Sequence, residues 1–109
     1  MLLEVRQVSR KTPLDGKLEI TPATAARLVA LGPELVVRAA GREDRARLES
    51  MSCTCAKSAG EAHVHHFIES PAFTDLVAGT EVRVELAISA LHSPVIGVTP
   101  VPGAPGYGT

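Results

Sequence analysis

Aromatic side chains are nearly missing from this chain: no Trp, one Tyr and two Phe in 109 residues. A core must therefore be assembled from Val, Leu, Ile and Ala, and a base-stacking platform for single-stranded nucleic acid, which needs exposed rings, is disfavoured. Long apolar runs are absent too. The first ten residues, MLLEVRQVSR, read as neither signal peptide nor membrane anchor, so the expectation is a cytoplasmic protein with no membrane partner. Glycines are dispersed, and no GxGxxG or Walker pattern offers a phosphate-binding loop. Cysteine is scarce as well, with only Cys53 and Cys55. In a reducing compartment such a pair is more often a ligand or redox pair than a structural disulfide.

The formal net charge of −1 is unevenly spread. Residues 1–47 carry nine Lys/Arg against six Asp/Glu, and residues 48–109 carry two against six. The basic half gathers Arg38, Arg42, Arg45 and Arg47, a candidate phosphate-binding patch for nucleic acid, although such clusters are usually solvated loops.

At this length one domain is expected. From His92 the chain reads HSPVIGVTPVPGAPGYGT, with four prolines and four glycines. That composition predicts a domain over residues 1–91 followed by an extended or mobile tail over 92–109. The alternative is that VIGVTPV packs along the domain as an edge segment.

Two segments share a pattern. ITPATAARLVALGPELVVR (20–38) and ESPAFTDLVAGTEVRVE (69–85) each place a hydroxyl residue before Pro-Ala: Thr21-Pro22-Ala23 and Ser70-Pro71-Ala72. Ser or Thr at N-cap followed by Pro at N1 predicts a helix start. Each segment then carries Leu or Phe on one face, reaches a glycine (Gly32, Gly79) suited to a left-handed helix end, and continues as Gly-x-Glu into alternating apolar residues. The run Val82, Val84, Leu86, Ile88 interleaved with Arg83 and Glu85 is a half-buried strand. The reading is a strand–helix–strand unit used twice.

This pattern resembles the cradle-loop β-barrels, which include double-psi barrels and the AbrB-like swapped-hairpin DNA-binding proteins. Gly16, Ile20, Pro22, Leu28, Gly32 and Glu34 carry the resemblance, which extends by pattern over about residues 15–90. Glu34 and Glu81 stand where that pattern has Asp, and Lys17 where it commonly has Arg. The resemblance implies a mostly β (α+β) fold: a small pseudo-twofold β-barrel with two short helices. It also implies DNA binding or regulation, and a homodimer as one mode of assembly.

The stretch CTCAKSAGEAHVHH (53–66) holds both cysteines and three of the four histidines. RARLESM (45–51) alternates like a strand leading into it, HVHHFIE (63–69) like a strand leaving it, and AKSAGEA (56–62) like a loop between them. Strand side chains alternate faces with period two, so Cys53 and Cys55 share one face, as do His63 and His65. Pairing of the strands would bring all four to a Cys2His2 set suited to a structural Zn²⁺. His66 falls on the other face and joins only if the strand is irregular; His66 and His92 are read as ordinary core or surface histidines. Two rivals compete. His63-x-His65-x3-Glu69 is similar to the first half of a cupin metal motif and implies a metalloenzyme or metal-handling protein. A Cys53 or Cys55 nucleophile activated by histidine lacks an orienting group. The expectation is thus a non-enzymatic, zinc-binding regulatory or interaction module with a protein or nucleic-acid partner.

Overall fold

The computed structural model describes residues 1–53, 63–87 and 94–101, and for Cys53 and His63 the backbone alone. Seven strands form a nearly closed, barrel-shaped sheet. In chain order they are β1 (Leu2–Gln7), β2 (Lys17–Ile20), β3 (Leu35–Ala39), β4 (Arg42–Cys53), β5 (His63–Glu69), β6 (Glu81–Ala87) and β7 (Val95–Pro100). The spatial order is β1-β6-β7-β3-β4-β5-β2, antiparallel throughout except for the parallel pair β3–β7. Helix α1 (Lys11–Asp15) precedes β2, α2 (Pro22–Val29) follows it, and a 3-10 helix spans Pro71–Asp75.

The expected alternation builds the interior. Leu18, Val37, Ile68, Val84, Ile96 and Val98 come from five different strands and are essentially inaccessible. Leu28 of α2 and Phe73 of the 3-10 helix are wholly buried and complete the same apolar cluster. No helix among the described residues is long and apolar enough to cross a membrane.

Both predicted helix starts form. Thr21 Oγ1 accepts from the Thr24 N–H at 3.2 Å, and Ser70 Oγ accepts from the Ala72 N–H at 3.2 Å. The second helix is shorter than the pattern suggested. It ends at Asp75, so Gly79 (φ 90°) is not its cap. That glycine instead sits in a turn closed by Thr80 N–H on the Val77 carbonyl, which aligns Thr80 and Val8 for their backbone bond.

The reading of residues 92–109 as a tail is corrected. Val95–Pro100 is an interior strand, hydrogen-bonded to β6 on one side and β3 on the other, so the domain runs at least to Val101. The prolines bracket the strand instead of interrupting it: Pro94 precedes its first residue and Pro100 is its last. Between them Ile96 and Val98 alternate inward with Gly97 between. The remaining tail residues, 102–109, and His92 lie outside the described residues.

Candidate site at the β4–β5 arm

β4 has twelve residues and serves two partners in succession. Its first part, Arg42–Ala46, pairs with β3, and Arg47–Cys53 pairs with β5. β5 in turn pairs with β2 only from His66 to Glu69. Past Ser50 and His66, the two strands therefore continue as a two-stranded arm, residues 51–53 against 63–65, with no third strand beside it among the described residues.

The register of this arm sets Met51 opposite His65, Ser52 opposite Val64 and Cys53 opposite His63. Strand pairing across the Cys/His loop is thus as expected, and Cys53 and His63 share a ladder rung two steps beyond His65. Cys55 lies outside the described residues. Among those described, no three His, Cys, Asp or Glu side chains gather as a metal-binding group.

His65, in the arm, and His66, at its base, occupy different settings. His65 Nδ1 lies 2.9 Å from Glu19 Oε2, a residue of β2. Its ring centroid is 6.4 Å from that of Phe67. His66 faces the barrel side, where its Nδ1 meets the Ser50 hydroxyl at 2.9 Å. Ser50 and His66 form one wall of an open cleft of about 340 Å³ whose other wall is Pro22, Ala25, Ala26 and Val29 of α2. The alternation in HVHH gave this division of faces correctly.

Glu69 does not join the histidines. Four strand positions separate it from His65, about 13 Å at the rise of an extended chain. Its carboxylate is engaged by Arg47 and by Lys17, the latter at 3.9 Å. The cupin-like set His63, His65 and Glu69 is therefore spread along a straight strand, whereas ligands of one ion must converge.

The four arginines also separate. Arg38, Arg45 and Arg47 project from the outer face of β3 and β4, whereas Arg42 stands on the other face with Ala39 as its ladder partner. Carboxylates intervene, because the hairpin register sets Glu43 opposite Arg38. Arg38 pairs with Glu43 at 2.6 Å, Arg42 with Asp44 at 3.5 Å, and Arg47 with Glu69. Sequence proximity counted the charges but not their partners.

One contact of the arm escaped sequence reasoning: Glu19 beside His65. The residues are 46 positions apart, and only the β2–β5 register, Glu19 opposite Phe67, makes them diagonal neighbours. The alternation in KLEI offered the sole hint, since it puts Glu19 on the outward face.

No family model matches the chain, and neither a curated protein nor a solved structure matches it. The resemblance to the cradle-loop barrels accordingly rests on the quoted sequence pattern.

Proposed function

We propose that this chain is a non-enzymatic interaction module, a small β-barrel whose β4–β5 arm is pinned by a structural zinc ion held by Cys53, Cys55, His63 and His65. The observation that carries the reading is the ladder: Cys53 stands opposite His63, in step with His65, where the arm has left both flanking strands. An isolated pair of strands is marginal in water. Two thiolates and two imidazoles would give such a ribbon a closed tetrahedral anchor, contributing on the order of 10 kcal/mol to folding in small zinc domains.

The arm's exposed side chains favour recognition of another macromolecule over catalysis. Met51 and Val64 are each 48% exposed, Met51 on the face of His65 and Val64 on the opposite face, so both faces of the projecting element carry accessible apolar surface. A protein partner suits this surface better than a nucleic acid, since Arg38, Arg42 and Arg47 each have a carboxylate at hand.

The test is metal content by mass spectrometry on protein purified with and without chelator, paired with melting curves. One zinc per chain is expected, together with a large fall in melting temperature on its removal. Cys53→Ser and Cys55→Ser should each lose the metal and melt early. Protein that takes up no zinc on refolding with it, and melts identically with chelator, overturns the reading.

A further inference from the structure

We propose that the edge of β4 which β3 leaves free, from Leu48 to Ser52, takes an added strand from a protein partner: an extended peptide with apolar side chains on one face and acidic ones on the other. The inference rests on the interaction-module reading above, but on no metal.

The edge follows from hydrogen-bond alternation. Successive residues of a strand direct their N–H and C=O groups to opposite neighbours. Val36 N–H donates to the Pro94 carbonyl on the β7 side, so Leu35, Val37 and Ala39 are the β3 residues that face β4. Their ladder partners Ala46, Asp44 and Arg42 face β3 in return. β4 runs on without a break, so Arg47, Glu49 and Met51 face β5, and Leu48, Ser50 and Ser52 face the side of β3. The other flank agrees. Ser70 N–H donates to the Gly16 carbonyl beside β2, which turns Ile68 and His66 toward β2 and Glu69, Phe67 and His65 toward β4. β3 itself begins at Leu35, and Pro33 before it has no N–H with which to extend the ladder. Leu48, Ser50 and Ser52 thus present backbone donors and acceptors that no strand among the described residues answers.

Such an edge is a template for a further strand: main-chain bonds supply affinity, and pockets for alternate side chains supply specificity. The pockets are present. Beside the cleft of Ser50 and His66 lies a second, of about 420 Å³, between Val29, Pro33, Leu35 and Leu48. Val29 and Leu48 line both, so the two form one trough along the edge. Val29 is 65% exposed, an apolar side chain that a strand's inward residues would cover. The outer face carries Arg45 and Arg47, two positions apart. Glu69 answers Arg47, whereas Arg45 meets no carboxylate in an ion pair among the described residues. Glu34 lines a cleft with Arg45 but forms no ion pair with it. An acidic side chain on the peptide's outer face complements this arginine, and a nucleic acid has no row of N–H and C=O groups to match the edge.

The experiment follows amide hydrogen exchange by NMR in the whole chain, alone and with a short end-blocked peptide of alternating Val and Glu, or of Val and Lys as control. In the free chain the Leu48, Ser50 and Ser52 amides should exchange faster than those of Arg47, Glu49 and Met51. The Val/Glu peptide should slow the first three and leave the others unchanged. Val29→Glu, at an exposed position, should weaken binding about tenfold, the contribution of one apolar side chain left uncovered. Arg45→Glu should abolish the preference for the Val/Glu peptide over the Val/Lys peptide. Protection of Leu48, Ser50 and Ser52 in the dilute free chain overturns the proposal, as does exchange that the Val/Glu peptide leaves unaltered. Protection that grows with protein concentration alone also overturns it and makes a second copy of the chain the occupant. A chain that holds zinc but shows no protection by the peptide loses this inference and keeps the zinc reading.

Discussion

Glu4 Oε1 accepts two hydrogen bonds from Thr21, one from its backbone N–H at 3.0 Å and one from its hydroxyl at 2.9 Å. The two residues belong to opposite ends of the sheet. Glu4 lies in β1, the first strand of the spatial order, and Thr21 directly follows β2, the last. Their contact therefore bridges the seam of a barrel that strand pairing leaves open. Glu4 pairs in register with the buried Val84, so its side chain points inward and is only 9% exposed. It also stands at the start of α2, where the helix dipole favours negative charge, and Arg6 lies 3.4 Å from its second oxygen.

Removing this carboxylate should loosen the seam. Hydrogen bonds to charged groups contribute about 1.5–3 kcal/mol, so Glu4→Ala should cost about 2–3 kcal/mol in urea unfolding. Glu4→Gln, which retains an acceptor oxygen, should cost less. A loss below 0.5 kcal/mol in Glu4→Ala, on the order of an ordinary surface change, would mean that the seam is held by packing alone.

Gly16 is irreplaceable for a different reason. It ends α1 with φ 68°, and its carbonyl accepts the Ser70 N–H at 2.8 Å. A Cβ at this position would lie 2.9 Å from the Ser70 carbonyl oxygen, a backbone atom with no rotamer to move. Gly16→Ala therefore combines the left-handed penalty of about 1–2 kcal/mol with a clash. It should lower the melting temperature well beyond Gly32→Ala, where φ is also positive but nothing lies within 4 Å.

The β3–β4 turn offers the opposite opportunity. Ala40 (φ 51°) and Gly41 (φ 75°) both have positive φ, the pattern of a two-residue type I′ hairpin that favours Asn-Gly. Alanine at the first position is strained, and its side chain is exposed. Ala40→Asn should stabilise the protein by about 0.5–1 kcal/mol, since Asn tolerates left-handed backbone better than Ala. The check is a shift of the denaturation midpoint at constant slope.

Ile96 tests the revised domain boundary. It is fully buried and is the ladder partner of both Val37 and Leu86. Ile96→Ala should cost about 2–5 kcal/mol, and a chain ending at residue 91 should show no cooperative unfolding by circular dichroism. An extended or mobile tail would make both changes neutral.

What the sequence revealed was mainly local. The caps at Thr21 and Ser70 form because a hydroxyl and the N–H two or three residues on are neighbours in any helix start, whatever surrounds them. The alternations in β5 and β6 were legible because period two follows from backbone geometry. β7 was misread because the proline count outweighed the Ile96–Val98 alternation, when position decides what proline does to a strand. α1 is a single turn with Pro13 inside it and no side-chain cap at Arg10, and it left no recognisable signal. The Glu4–Thr21 and Glu19–His65 contacts depend on barrel closure and register, which no short window of sequence contains. At the candidate site, the pairing of the two strands was legible from alternation, while the carboxylate that faces His65 was not.

The strand order also shapes how the molecule is made. Until residues 95–100 exist, strand pairing joins β1 only to β6 and, separately, β3, β4, β5 and β2 to one another. Each of those partial sheets exposes the edge that β7 will later occupy, on β6 and on β3. The final described strand thus completes the middle of the sheet and not its rim. A nascent chain carries the open edge of β3 from Ala39 onward, joined by that of β6 once Ala87 is made, until β7 follows, and closing them requires contacts distant in sequence, which slow folding and invite association. Conditions that stall elongation before Val95 should therefore leave the chain dependent on chaperones, even though the finished barrel buries both edges.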